Sequence, residues 1–226
     1  IEAQYGQVPP DRPQPDLNKV REAAQRISEA QRPVIVAGAG VKYSGAYEAL
    51  NTLAETMQVP VATSLNAKDV ILDNNPLSVG VVGTYSRRSA NQVVAEADLV
   101  IFVGTRAGGM TTHFWTIPAK GTSTIQIDID PLVNGRNYPT DVSIVGDARV
   151  TLEKMNELNI PVPKERVEWL KQVKAICTSY KIDFKEVYES DAYPIRPERI
   201  VNELSNGMPK NAVIVVDTGH SGMWMG

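Results

Sequence analysis

Short apolar stretches alternate along this chain with segments in which apolar residues return every three or four positions. The first stretch, Val34-Ile35-Val36-Ala37, follows Arg32-Pro33 and runs straight into Gly38-Ala39-Gly40. Others lie at 59–63, 98–103, 142–145 and 213–216. Runs this brief and continuous predict strands buried on both faces, the habit of a parallel sheet. Pro60 falls near the start of its strand, where a missing N–H is tolerated. A further strand over 123–129 alternates at Gln126 and Asp128, which predicts one polar face or a place near the sheet edge.

Helical spacing fills the intervals. Asp16 is placed to cap a helix in which Leu17, Val20, Ala24 and Ile27 recur up to Ala30. The same periodicity predicts helices over 43–57, over 89–97 with Val93, Val94 and Ala97 inward, and over 149–158. Beyond Pro163 the texture changes to a long charged helix marked by Val167, Leu170, Val173 and Cys177. Pro197 then sits at the first position of a helix running through Leu204. Strand, loop and helix in recurrence define the α/β class, a parallel sheet flanked by helices on both faces.

Each buried run ends in a loop of glycine or small polar residues: 38–40, 63–66, 83–86, 104–109, 128–130 and 146–148. In a parallel sheet these loops gather on one rim, where nucleotides bind. The residue where a dinucleotide fingerprint places its third glycine is Tyr43, so Gly38 and Gly40 carry two readings. They form a phosphate-approaching turn, or a strand-to-helix turn that needs glycine for its dihedral angles alone. Arg106 pairs with a phosphate or with a carboxylate of a neighbouring domain. Asp128 or Asp130 accepts a hydrogen bond from a ribose or an adenine, and Asp130 before Pro131 is equally a turn residue.

Composition narrows the classes. A chain of 226 residues suits one large α/β domain, or one domain with pieces of its neighbours. The net charge of −3, with scattered basic residues, gives no footprint for nucleic acid. The single cysteine, Cys177, excludes an intrachain disulfide and a multi-cysteine metal site, and fits a cytoplasmic protein. No apolar run approaches the ~20 residues of a membrane span, and no signal peptide is visible. Residues 1–16, with Pro9, Pro10, Pro13 and Pro15, read as a stiff interdomain linker. The chain opens on Ile1 and ends on Met223-Trp224-Met225-Gly226 just past a strand and a glycine turn, so a piece of a longer polypeptide is expected.

Self-contained catalytic chemistry is missing from the pattern. His113 and His220 are the only histidines, far apart and without carboxylates at ligand spacing; His113 is expected at the surface or in a crevice. There is no Gly-x-Ser-x-Gly elbow and no His-Glu-x-x-His helix. No catalytic residue and no metal ligand is therefore assigned.

Taken in order, a set of motifs resembles the central part of thiamine-diphosphate-dependent enzymes of the acetolactate synthase and pyruvate oxidase type. They are Arg32-Pro33-Val34-Ile35 with Gly38-Ala39-Gly40, Thr63, Gly83 through Ala90-Asn91, and Ala97-Asp98-Leu99-Val100 with Gly104-Thr105-Arg106. Asp128-Ile129-Asp130-Pro131, Gly146-Asp147-Ala148, Arg196-Pro197-Glu198 and Val216-Asp217-Thr218-Gly219 complete the set. The resemblance implies a Rossmann-like central domain over 17–186, preceded by the linker and followed over 187–226 by the start of a diphosphate-binding domain. It implies a parent enzyme that uses thiamine diphosphate and Mg²⁺ to decarboxylate a 2-oxo acid and pass on an acyl carbanion equivalent, as a homo-dimer or homo-tetramer. FAD or ADP in the central domain would meet Gly38, Ala39, Gly40, Thr63, Leu65, Thr84, Ser86, Gly104, Thr105, Arg106, Asp128, Ile129, Asp147 and Ala148. Gly219, His220 and Ser221 would meet the phosphates of thiamine diphosphate.

Two positions depart from the flavin-containing relatives: Met110 stands where they carry a second arginine, and Tyr85-Ser86 where they have histidine and glycine. The family's activating glutamate and Mg²⁺-holding Gly-Asp-Gly motif belong to flanking domains, so this chain alone is expected to be inactive. The competing class is a free-standing NAD- or FAD-binding module, of electron-transfer or sirtuin-like type; the lone cysteine speaks against the zinc set of the latter.

Overall fold

A computed structural model describes residues 11–158, 160–209, 211–217 and 219–225. The expected linker up to residue 10 lies outside these, as do Thr218 and Gly226. Strands β1 (Pro33–Ala37), β2 (Val61–Thr63), β3 (Ser78–Val81), β4 (Leu99–Val103), β5 (Ser123–Asp128) and β6 (Val142–Val145) make one six-stranded sheet. Its order is β3-β2-β1-β4-β5-β6, and every neighbouring pair is parallel. The α/β parallel architecture read from the sequence is the one that forms.

Successive strand residues point to opposite faces, so each unbroken apolar run feeds two cores. Ile35, Ala37, Ile101, Val103, Ile125 and Ile127 pack with helices α1 (Leu17–Glu29), α3 (Tyr47–Met57) and α5 (Ala148–Asn156). Val34, Val36, Val100 and Phe102 pack on the other face with α4 (Arg88–Glu96) and the inner part of α6 (Arg166–Tyr188). Asp16 caps α1 as expected, its carboxylate accepting from the Asn18 amide at 2.8 Å.

Helix α6 is fastened by groups that periodicity does not reveal. Arg166, fully buried, donates to the carbonyl oxygens of Met57 at 2.6 Å, Ile27 at 2.7 Å and Ala30 at 2.8 Å. One guanidinium thus satisfies the carbonyl ends of both α1 and α3 and opposes their negative dipole ends. Burial pulls its pKa down to about 10, partly offset by Asp98, so it stays charged at neutral pH. One turn on, the buried indole of Trp169 donates to the Pro33 carbonyl at the base of β1, 3.0 Å away.

Several elements depart from the sequence reading. The helix expected over 43–57 is two: α2 (Ala39–Ser44) begins directly after Gly38, and Gly45 at φ 67° turns the chain into α3. The apolar pattern does not mark β3: Gly80 interrupts it, and at the sheet edge only Val79 and Val81 are buried. The polar loop after Thr63 winds into a 3₁₀ helix, Leu65–Val70. Gln126 lies on no polar face: it is buried, donating to the Thr105 carbonyl and accepting from the Gly135 amide. The strand expected over 213–216 does not form; no strand runs beside it among the described residues, and Val213 and Val215 are exposed. An apolar run becomes a strand only where a neighbour supplies its ladder. Around it lie α7 (Pro197–Gly207), opened by Pro197 as expected, and the short α8 (His220–Trp224).

Replacing Arg166 with Met should lower the unfolding free energy by about 3 kcal/mol, because three buried carbonyls lose their donor. Arg166→Lys should recover only part of this, a compact ammonium being unable to span both helix ends. Urea midpoints at constant m-value measure both.

Candidate functional site

Strands β1 and β4 are sheet neighbours, but the chain leaves them in opposite directions, toward β2 and toward β5. The crevice at their carboxyl ends is where open parallel sheets take ligands. Here the two departing loops are hydrogen-bonded to each other: the Gly38 amide donates to the Val103 carbonyl at 2.8 Å, and the Gly40 amide to that of Gly104 at 2.9 Å. A Cβ at Gly38 would fall 2.3 Å from the Gly104 oxygen, and one at Gly40 2.6 Å from the Gly104 Cα. Gly104 itself, at φ 59°, would place a Cβ 2.7 Å from the Gly40 Cα. These glycines serve a backbone-to-backbone approach, and the amides of Gly38 and Gly40 are already committed.

Above this contact opens a crevice of about 770 Å³, within the range of small-molecule sites. Of the residues expected to meet a nucleotide, Ala39, Gly40, Leu65, Gly104, Thr105, Arg106, Asp128 and Ile129 line it. An adjoining cavity of about 470 Å³ shares Gly40, Gly104, Asp128 and Ile129 and adds Asp147 and Ala148. Gly40, Arg106 and Asp128 therefore stand on one rim. The others are placed differently. Gly38 lies in the loop contact beneath, and Thr63 is buried in β2. Thr84 and Ser86 line a separate cavity beside α6. Gly219, His220 and Ser221 are exposed at the start of α8, outside all three cavities.

The charges on this rim differ in how far they are free. Burial holds the Asp128 carboxyl above the usual carboxylate range, against the opposing pull of the Asp130 amide, which donates to Oδ1 at 3.0 Å, and of Arg106. Arg106 is exposed, and its loop is anchored where the Asn137 amide donates to the Arg106 carbonyl at 2.7 Å. Asp147 is structural as well as positioned: it caps α5 through the Val150 amide and pairs with Arg12 at 2.9 Å. Arg12 also donates to the Ser44 carbonyl, so Asp11 and Arg12 line the adjoining cavity.

A nucleotide would find an arginine for one phosphate and a carboxylate for a ribose or base donor. Met110, where the resemblance leads one to expect a second arginine, stands half exposed on the crevice wall. The residues fit a nucleoside with a single phosphate contact better than a diphosphate held from both sides. Among the described residues no group of three His, Cys, Asp or Glu is placed to hold a metal ion.

Sequence reasoning missed Tyr43 as a wall residue: it is 84% exposed and lines both cavities, in the slot of the absent third glycine. It also missed the turn at His113, Phe114 and Trp115, three successive residues at positive φ. Buried Thr112 pins that turn, its hydroxyl donating to the Gly108 carbonyl and accepting from the Trp115 amide. His113 is exposed there. No local pattern marks a left-handed turn without glycine.

Gly104→Ala should destabilise the chain by about 3 kcal/mol or more, combining the strain of positive φ with backbone overlap. Gly45→Ala, at similar φ but with nothing within 4 Å of the added Cβ, should cost about 1 kcal/mol; equal losses in thermal or urea unfolding would contradict the close-approach account. Asp128 gives a pH test. Its folded pKa lies above the unfolded one, so stability falls as pH rises through that window. Asp128→Asn should be the more stable form at pH 7, with the difference closing as pH drops below the ordinary carboxylate range in pH-dependent melting curves.

Residues 20–155 match the family model described as thiamine pyrophosphate enzyme, central domain. The chain is 36% identical to a probable acetolactate synthase large subunit of Methanococcus aeolicus and 35% identical to that of Methanocaldococcus jannaschii, over 92% of its own length in each case. It is 28% identical to the acetolactate synthase large subunit of Lactococcus lactis, again over 92% of the chain. It spans only 36%, 36% and 35% of the length of those relatives.

Proposed function

Because this chain belongs to the thiamine pyrophosphate enzymes, as their central domain, we propose that it serves within a larger enzyme acting on 2-oxo acids. The reaction of that larger enzyme is decarboxylation followed by carbon–carbon bond formation, the chemistry that the resemblance to the acetolactate synthase type implies. The observation that carries the reading is the family match, which coincides with the six-stranded sheet and its crevice.

Thiamine diphosphate, when bound with Mg²⁺, supplies the carbon nucleophile of such a reaction. This chain would offer Gly219, His220 and Ser221 to the diphosphate, His220 and Ser221 as donors. The remaining part over 17–186 acts as a platform between cofactor-binding domains, with residues 11–16 lying along it through Arg12 and Asp147. In its crevice an adenine nucleotide, FAD or ADP, adds support: Arg106 meets a phosphate and Asp128 accepts from a ribose hydroxyl or a base amine. The single arginine meets one phosphate of either ligand and does not choose between them. The linker reading of 1–16, the assembly into dimers or tetramers and the cytoplasmic setting belong to the same proposal.

The 226-residue chain alone should release no CO₂ from pyruvate with thiamine diphosphate and Mg²⁺, whereas the full reading frame should. In a thermal-shift titration ADP should raise the melting temperature, and Arg106→Ala should remove most of that rise. If neither ADP nor FAD moves the midpoint of the wild-type chain, the crevice is a scaffold only.

A further inference from the structure

The separate cavity beside α6, about 550 Å³, lies between the β3–α4 loop, the outer half of that helix, and helices α7 and α8. The reading above gives it no role. One wall is a ladder of rings four residues apart on α6: Tyr180, Phe184 and Tyr188, with centroids 4.5 and 5.9 Å apart in succession. Trp224 of α8 also lines the space. Such faces stack on planar rings of any heteroaromatic base.

Cations supply the other half of the chemistry. Lys68, Arg87 and Arg88 all line the cavity, against one lining acid, Glu198. Arg87 pairs with Asp73 and Arg88 with Asp183, and Lys68 donates to the Met225 carbonyl at 2.7 Å. An ammonium has three donors and a guanidinium five, so each cation keeps capacity for a further acceptor. Burial first, and then the charge of Arg87, hold the Lys68 pKa below its usual value, with Asp73 opposing them. The volume suits a molecule of drug or mononucleotide size, and Ser205 and Asn202 line the stretch between rings and cations with polar groups.

We propose that this cavity binds a nucleoside monophosphate, its base against the Tyr180, Phe184 and Tyr188 rings and its phosphate on Lys68 and Arg88. A phosphate is favoured over a carboxylate because Lys68, Arg87 and Arg88 all line the cavity, and a doubly charged tetrahedral group has acceptors for several donors at once. Thr84 and Ser86, which line this space rather than the central crevice, belong to the same site.

The test is calorimetric titration of the 226-residue chain with AMP, repeated with inorganic phosphate and with phenylpyruvate. One saturable site for AMP is expected, at least tenfold tighter than either of the other two. Lys68→Met should weaken AMP at least tenfold, and so should Arg88→Gln; neither side chain belongs to either hydrophobic core. Arg106→Ala, in the central crevice, should leave this affinity unchanged. Tryptophan fluorescence should respond to AMP in the wild type and not in Trp224→Phe. Absence of saturable AMP binding overturns the proposal. So does loss of binding in Arg106→Ala with retention in Lys68→Met, which would place the ligand in the central crevice. Phosphate binding as tightly as AMP would remove the rings from the account, and phenylpyruvate doing so would remove the phosphate; either result also overturns it.

Discussion

The close approach of the β1–α2 and β4–β5 loops is the constraint on which the functional end of this fold rests. Gly38 and Gly40 let one backbone lie directly on the other at Gly104, and amide-to-carbonyl bonds of 2.8 and 2.9 Å tie the two together. A side chain on any of these residues would push the loops apart and open the floor of the crevice. The same contact draws Thr105 and Arg106 toward the β1 side while β5 delivers Asp128 from the other. It also determines what the floor cannot do. Amides bonded to another loop are not available to cradle a phosphate, so anion recognition falls to side chains.

The opposite end of the sheet is held by a different kind of contact. Arg166 reaches from the start of α6 to the carbonyl ends of α1 and α3, and Trp169 to the base of β1. A buried guanidinium is tolerated because its hydrogen bonds go to groups that carry partial negative charge and would otherwise lack donors. Helix α6 thereby joins elements from both faces at one end. Its outer half extends past the sheet and carries the aromatic ladder. Rigid anchoring at one end and projecting rings at the other make α6 the link between the central fold and α7 and α8.

Membership of the thiamine pyrophosphate enzymes rests on the match of residues 20–155 to their central domain, and the chemistry on the rim of this chain is sparse. Burial raises the pKa of Asp128, Asp147 is tied to Arg12 and to the first turn of α5, and Met110 lines the crevice without a charge. A parallel sheet with its loops on one rim can lose or shift a ligand without losing its core, because the core is built from strand residues and the site from loop residues.

Much of this was legible residue by residue. Unbroken runs such as 34–37 and 99–103 encode burial on both faces, and that requires a parallel sheet with helices on either side. Asp16 and Pro197 mark helix starts through side-chain and ring geometry that act within a few residues. The convergence of Gly40, Arg106 and Asp128 followed from the rule that such loops share an edge. Tertiary structure decided what local pattern does not contain: that the glycines meet another loop, that Gln126 is buried and bonded, and that Arg166 joins two helix ends. It also decided that 213–216, apolar as it is, stays outside the sheet. Periodicity reports which residues avoid water, whereas hydrogen-bond partners distant in sequence exist only once the chain has brought them together.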